Sequence, residues 1–121
     1  MATRTGIGGI VGQKRKYFSW RFAVDFVGGQ VATLGKNAKV ETVINASRGS
    51  IELARAHPQL EIDGYRAVFD LRPTDDSVEP VDLRLYLRVG HLALTETWVY
   101  QWTPPPAAER RRWITAPAAQ P

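Results

Sequence analysis

VDLRLYLRV, residues 81–89, is the stretch of sequence that decides the fold. Asp82, Arg84 and Arg88 alternate there with apolar side chains. Successive side chains of a β-strand point to opposite faces, whereas a helix would space its apolar residues by three and four. The stretch therefore predicts a strand with one buried and one solvated face. The side chains predicted to point inward are Val81, Leu83, Leu85, Leu87 and Val89.

The same alternation recurs along the chain on both sides of this strand. It is found in YFSWRFAVDFV (17–27), VETVINA (40–46), YRAVFDLR (65–72) and LALTETWVYQW (92–102). In the last of these, Leu92 and Leu94 share a face with Trp98, Tyr100 and Trp102. Residues 40–46 and a short strand at 51–54 flank a turn sequence, so a hairpin is predicted there.

These patterns predict the fold class and the boundaries of the folded domain. Six to seven short strands separated by polar turns, without a long segment of helical period, predict an all-β fold of antiparallel strands. The chain has 121 residues, which is enough for one immunoglobulin-like β-sandwich, and we place it at residues 17–103. Residues 1–16 are rich in Gly and basic side chains and predict a linker, and the Pro/Ala/Arg-rich residues 104–121 predict a tail.

Charge and residue types exclude several functions. The net charge is +4, but residues 1–22 contribute +5 and residues 103–121 contribute +2, whereas the body between them sums to −3. A nucleic-acid-binding domain would carry the basic residues on its folded face, so no nucleic-acid partner is expected. Without cysteine, and with His57 and His91 isolated beside turns, neither a metal site nor a cofactor is predicted.

The strand carboxylates are the candidates for acid and base chemistry. Cleavage of a glycosidic bond requires two carboxylates that face each other across a cleft. Asp25, Asp70 and Asp82 alternate with apolar residues, so we expect them on the solvated face as ordinary surface groups. Glu96 shares a face with Leu94 and Trp98, which predicts a structural ion pair or an outward bulge in preference to catalysis. No catalytic residue is assigned.

Aromatic side chains form a stripe near the end of the last strand. Trp98, Tyr100 and Trp102 recur at every second position, as a core stripe or a sugar-stacking platform would. Core packing is the leading interpretation, and these three residues are the candidate carbohydrate-binding site. Trp113, in the Pro-rich tail, is expected to dock on a partner domain.

Several motifs in this order resemble the C-terminal part of the periplasmic glucans biosynthesis protein G/D family. They are Val24-Asp25-Phe26 with Gly28-Gly29, Ala46-Ser47-Arg48-Gly49, FDLRP (69–73), VDLRLYLR (81–88) and LTETWVYQW (94–102). GIGGIVGQ (6–13) is similar to the segment that leaves the large N-terminal domain of that family. The resemblance covers residues 1–103, and ETWVYQW is its most specific part.

The resemblance implies a role in the biosynthesis of osmoregulated periplasmic glucans, whose backbones are β-1,2-linked. It further implies a periplasmic location, an immunoglobulin-like fold, and acidic catalytic residues that belong to the large domain. We therefore expect a fragment that is not an enzyme by itself but an accessory interaction domain. Its expected partners are the large glucan-binding domain, the membrane glucosyltransferase and β-1,2-glucan. The alternative is a carbohydrate-binding module for β-glucan.

Overall fold

The computed structural model describes residues 2–9, 16–28 and 39–114. Eight strands within these ranges form two antiparallel sheets, which confirms the all-β sandwich predicted with six to seven strands. The strands are β1 (Ala2–Ile7), β2 (Trp20–Val27), β3 (Glu41–Ala46), β4 (Ser50–Gln59), β5 (Gly64–Arg72), β6 (Val81–Val89), β7 (Leu92–Ala93) and β8 (Trp98–Trp102). A 3-10 turn spans Leu60–Ile62, the helix α1 spans Ala107–Arg110, and a second 3-10 turn follows at Arg111–Trp113.

The two sheets enclose a single apolar core. Sheet A has the strand order β1-β2-β5-β4, and in sheet B the central β6 pairs with β3, β7 and β8. The alternation predicted for residues 81–89 is observed, because Val81, Leu83, Leu85 and Leu87 are buried. The core of the two sheets also contains Phe22, Val24, Phe26, Tyr65, Ala67, Phe69, Leu71, Trp98 and Trp102. A continuous buried layer of this kind is what holds two sheets face to face.

The N-terminal segment differs from the predicted linker. Residues 2–7 form β1, which pairs along its whole length with β2. Its side chains are mostly exposed, so the segment carries no apolar period that would mark it as a strand. Main-chain hydrogen bonds to β2 specify it instead, and these do not depend on side-chain type. Residues 10–15, the rest of the predicted linker before Lys16, lie outside the described residues.

The predicted hairpin at residues 40–54 is wrong. β3 pairs with β6 in sheet B, whereas β4 pairs with β5 in sheet A, so the chain crosses between the sheets. Gly49 at the crossing has a φ of 92°, and an added Cβ would lie 3.0 Å from the carbonyl oxygen of Arg72. A turn sequence specifies a change of direction but not the strand that pairs next.

Two further strands differ from their sequence patterns. β4 continues past residue 54 to Gln59 because a bulge between Glu52 and Arg55, with Leu53 at a φ of 53°, resets its register. Its Pro58 is tolerated because β4 lies at the end of the sheet A order. The predicted strand at 92–102 divides into β7 and β8, and Leu92 is exposed instead of lying on the core face.

Candidate functional site

Three aromatic rings pack together at one end of the sandwich. Phe18 precedes β2, Trp20 begins it, and Trp102 ends β8. Their centroids lie 6.0 Å (Phe18 to Trp20), 6.4 Å (Phe18 to Trp102) and 6.5 Å (Trp20 to Trp102) apart, with interplanar angles of 10° to 26°. Nearly equal separations place the rings at the corners of a triangle, since a column would make one separation twice the others. Trp20 stays partly accessible, whereas Phe18 and Trp102 are largely buried.

The segment after β8 folds back over this end. Arg110 is only 7% exposed and donates hydrogen bonds to the carbonyl oxygens of Pro105 at 2.7 Å, Asp75 at 2.5 Å and Ser77 at 2.6 Å. These contacts fix α1 to the connection between β5 and β6. The predicted tail is therefore held against the sandwich up to residue 114, because the buried guanidinium satisfies one carbonyl of the Pro-rich segment and two of the connection between β5 and β6. Residues 115–121 of the predicted tail lie outside the described residues.

The ordered segment places Trp113 beside these three aromatic rings. The ring of Trp113 packs edge-on against Trp20, with a centroid distance of 6.0 Å and an interplanar angle of 73°. Beside this pair of rings opens a groove with a volume of about 240 Å³. Its lining residues are Trp20, Trp102, Thr103, Pro105, Glu109 and Trp113. We call this the tryptophan groove.

Only one of the three predicted carbohydrate-binding residues lines the tryptophan groove. Trp102 lies in it, but Trp98 is 4% exposed and donates its indole N–H to Thr3 Oγ1 at 2.9 Å. Tyr100 stacks on Trp98 at 5.3 Å and packs against the core. For Trp98 and Tyr100, core packing is what the structure shows.

Sequence reasoning missed Trp20 and Glu109 as groove residues and assigned Trp113 to a partner domain. Trp113 packs instead on Trp20 of its own chain. A Trp in a Pro-rich tail predicts that this side chain packs on an apolar surface elsewhere. The sequence does not show which surface, because that depends on how α1 folds back over the sandwich.

Asp70 is not the solvated side chain that its alternation predicted. It is 1% exposed and accepts hydrogen bonds from Arg21 Nε at 2.7 Å, from Arg21 Nη2 at 3.1 Å and from the Gly9 N–H at 2.8 Å. Arg21 also donates to the Gly9 carbonyl oxygen. The pair lies on the face of sheet A opposite the core and binds the chain after β1 to that face. Burial of a carboxylate is tolerated here because its charge and lone pairs are matched.

Asp25 forms a similar ion pair four residues further along β2. It is also buried, contrary to the prediction, and accepts from Arg66 Nε at 2.7 Å and from Arg66 Nη2 at 3.1 Å. Arg66 stands opposite Asp25 in the register of β2 and β5. The hydrogen bonds from Arg66 hold the pKa of the Asp25 carboxyl below its ordinary value, against the opposing effect of burial. An ion pair across two strands is the physical reason that both predictions of a surface Asp were wrong.

The other polar candidates belong to different elements of the fold. Glu96 is exposed on the connection between β7 and β8 and not on a strand, and Asp82 is exposed on β6, as predicted. His57 is part of β4, and His91 is in the turn before β7. Within the described ranges, no three His, Asp or Glu side chains are grouped so as to hold a metal ion. No helix in those ranges is long and apolar enough to cross a membrane.

Comparison with known proteins shows the family to which the chain is related. The family model described as "Periplasmic glucan biosynthesis protein, MdoG" matches residues 1–102. The chain is similar to the glucans biosynthesis protein D of Xanthomonas campestris pv. campestris (strain B100), with 61% identity over 113 residues, which are 92% of this chain and 21% of that protein. It is 58% identical over 114 residues to the protein of the same name from Stenotrophomonas maltophilia (strain K279a), covering 94% of this chain and 21% of the relative. The chain thus spans about a fifth of the length of these relatives.

Proposed function

Because this chain belongs to the periplasmic glucan biosynthesis protein family, we propose that it is a non-catalytic accessory β-sandwich of a protein that helps to make osmoregulated periplasmic β-1,2-glucans. The domain acts by contact with other parts of that machinery. The family description supports a periplasmic location.

The observation that carries this proposal is the pairing of the buried strand carboxylates. A glycosidase needs one carboxyl group that keeps a proton to donate and a second that acts as base or nucleophile. Asp25 and Asp70 each accept two hydrogen bonds from an arginine, so both carboxyl groups are already engaged by a neighbouring strand. The hydrogen bonds from Arg66 also hold the pKa of Asp25 below its ordinary value, which favours the ionised form that cannot donate a proton. These carboxylates join strands, which is a structural role.

The partner we propose is the remaining part of the longer family proteins, since the chain spans only 21% of its relatives. The membrane glucosyltransferase that extends the glucan is a further candidate partner. A domain that is folded around its own core can pack on a larger domain as a rigid body.

Incubation of the purified chain with linear β-1,2-glucan tests the absence of catalysis. We expect no release of reducing ends, because the buried carboxylates are engaged by Arg21 and Arg66. Release by the wild-type chain would contradict the proposal, and its loss on Glu96→Gln would assign the activity to Glu96. Glu96 is an exposed acid on the connection between β7 and β8, and no arginine pairs with it among the contacts described. Folding of both proteins is checked by circular dichroism.

Binding of β-glucan by the domain itself is the second candidate function. The tryptophan groove favours it, because sugar sites combine aromatic faces with a few polar groups in an open depression. Tryptophan emission is expected to change when linear β-1,2-glucan is added. Unchanged emission at millimolar sugar would count against this function.

A further inference from the structure

We propose that the tryptophan groove holds one neutral pyranose ring of a β-glucan, with Trp20 and Trp113 as its two aromatic walls and Glu109 as its polar contact. This assignment rests on the second candidate function, binding of β-glucan. It places the site at the end of the sandwich and away from Trp98 and Tyr100, which are packed in the core.

The shape of the groove suits a pyranose ring. Trp113 stands at 73° to Trp20, so the two rings form a corner with one aromatic face on each side. A β-linked glucose ring has C–H groups on both broad faces and hydroxyl groups around its edge. Its faces are therefore apolar enough to pack on aromatic rings, whereas its edge requires hydrogen bonds.

The polar side chains at the groove specify the chemistry of the ligand. Glu109 and Thr103 are exposed and line the groove, so one carboxylate side chain and one hydroxyl side chain border the space that a sugar edge would occupy. A carboxylate accepts strong hydrogen bonds from hydroxyl groups and repels anions. Arg110, the next residue, is already engaged with three carbonyl oxygens, and neither of the exposed Arg111 and Arg112 is among the residues that line the groove. The site is thus suited to a neutral sugar and unsuited to a phosphorylated or acidic one.

The size of the groove limits how much of a glucan it can hold. Its volume of about 240 Å³ lies below the roughly 300 Å³ at which pockets for drug-sized ligands begin. One ring fits this space, and an extended chain does not. The affinity for a β-1,2-linked disaccharide should therefore differ from that for longer linear β-1,2-glucan by no more than about threefold, after correction for the number of chain ends.

The four tryptophans make a direct test possible. An isotope-labelled chain is titrated with the β-1,2-linked glucose disaccharide and the four indole N–H signals are followed by two-dimensional NMR. We expect the signals of Trp20, Trp102 and Trp113 to shift with one dissociation constant. The indole N–H of Trp98 is hydrogen-bonded to Thr3 and does not line the tryptophan groove. Its signal is therefore the internal reference and should not shift.

A pair of variants separates the site from general effects on the fold. Trp113→Ala removes a wall that is 39% exposed, and we expect it to weaken binding at least tenfold. Tyr17→Ala is the matched control. Tyr17 is 40% exposed, it hydrogen-bonds Glu52 and packs under Arg72, and it does not line the tryptophan groove. Its loss should leave the affinity for the disaccharide within about twofold of wild type.

Two results would overturn the assignment, and they have different meanings. If no indole or amide signal moves with either the disaccharide or the longer glucan, β-glucan binding by this domain fails as a function. If binding occurs but the shifts lie elsewhere, or Trp113→Ala binds as tightly as wild type, binding stands and the tryptophan groove is the wrong site.

Discussion

At the scale of single residues, the alternating pattern predicts which face of sheet A a charged side chain lies on. It does not predict whether that side chain is exposed or buried. Asp25 and Asp70 do point away from the core, as their spacing indicates, yet both are buried by arginines on the neighbouring strand. Which arginine lies opposite depends on the register of β2 against β5, and register is a long-range property that no single strand contains. The direction could be predicted from the sequence, whereas the ion pairs could not.

The Asp25–Arg66 pair makes the free energy of unfolding depend on pH, with lower stability in acid. The pKa of Asp25 is lower in the folded chain than in the unfolded chain, so the stabilisation is fully present above the unfolded value of about 3.9 and is lost as the pH falls through the folded value. In Asp25→Asn this contribution is absent. Urea unfolding between neutral pH and about pH 2 should show that the variant loses less stability than wild type, by on the order of 1 kcal/mol.

The control for this experiment is Val99→Ala, which changes an exposed side chain on β8 that does not titrate. It should follow the wild-type dependence on pH. Equal loss of stability in wild type and Asp25→Asn would mean that the pair contributes nothing to folding.

At the scale of elements, the two ends of the chain were the hardest to predict. β1 is mostly exposed and α1 is one turn long, so neither has the apolar period by which elements are recognised. Both are specified by contacts with distant parts of the chain, β1 by pairing with β2 and α1 by the hydrogen bonds of Arg110. The strongly alternating strands β2, β5 and β6 could be predicted because each repeats the pattern of a half-buried strand.

Gly8 tests how tightly the chain after β1 is held. A Cβ at this position would lie 2.4 Å from Ser19 Oγ and 2.8 Å from Asp70 Oδ2, so Gly8→Ala must displace the buried carboxylate or the segment itself. We expect a loss of about 1–3 kcal/mol in the free energy of unfolding, with faster hydrogen exchange of the β1 amides.

Gly6→Ala is the matched control, because nothing lies within 4 Å of the Cβ that it would add. Its effect on stability should stay within about 0.5 kcal/mol. If both substitutions have the same small effect, the close packing of Gly8 against Asp70 does not contribute to stability.

At the scale of the whole molecule, the family and the sandwich could both be predicted from the sequence. The order of motifs from 24 to 102 carried the resemblance, which the family match over residues 1–102 confirms. The tryptophan groove could not be predicted, because it joins the start of β2, the end of β8 and the segment after β8. Residues so distant in sequence come together only when both sheets are packed and Arg110 is in place.

The proposed accessory role is tested most directly by measuring whether this chain binds the rest of a family protein. A relative that lacks its matching 113 residues is prepared, its fold is verified by circular dichroism, and it is mixed with this chain on a size-exclusion column with light scattering. We predict a one-to-one complex at micromolar concentration, since the proposed accessory role requires contact between this domain and the rest of the family protein. Separate elution of two folded components at about 100 μM, where a Kd of 10 μM would still give mostly complex, would contradict the accessory role.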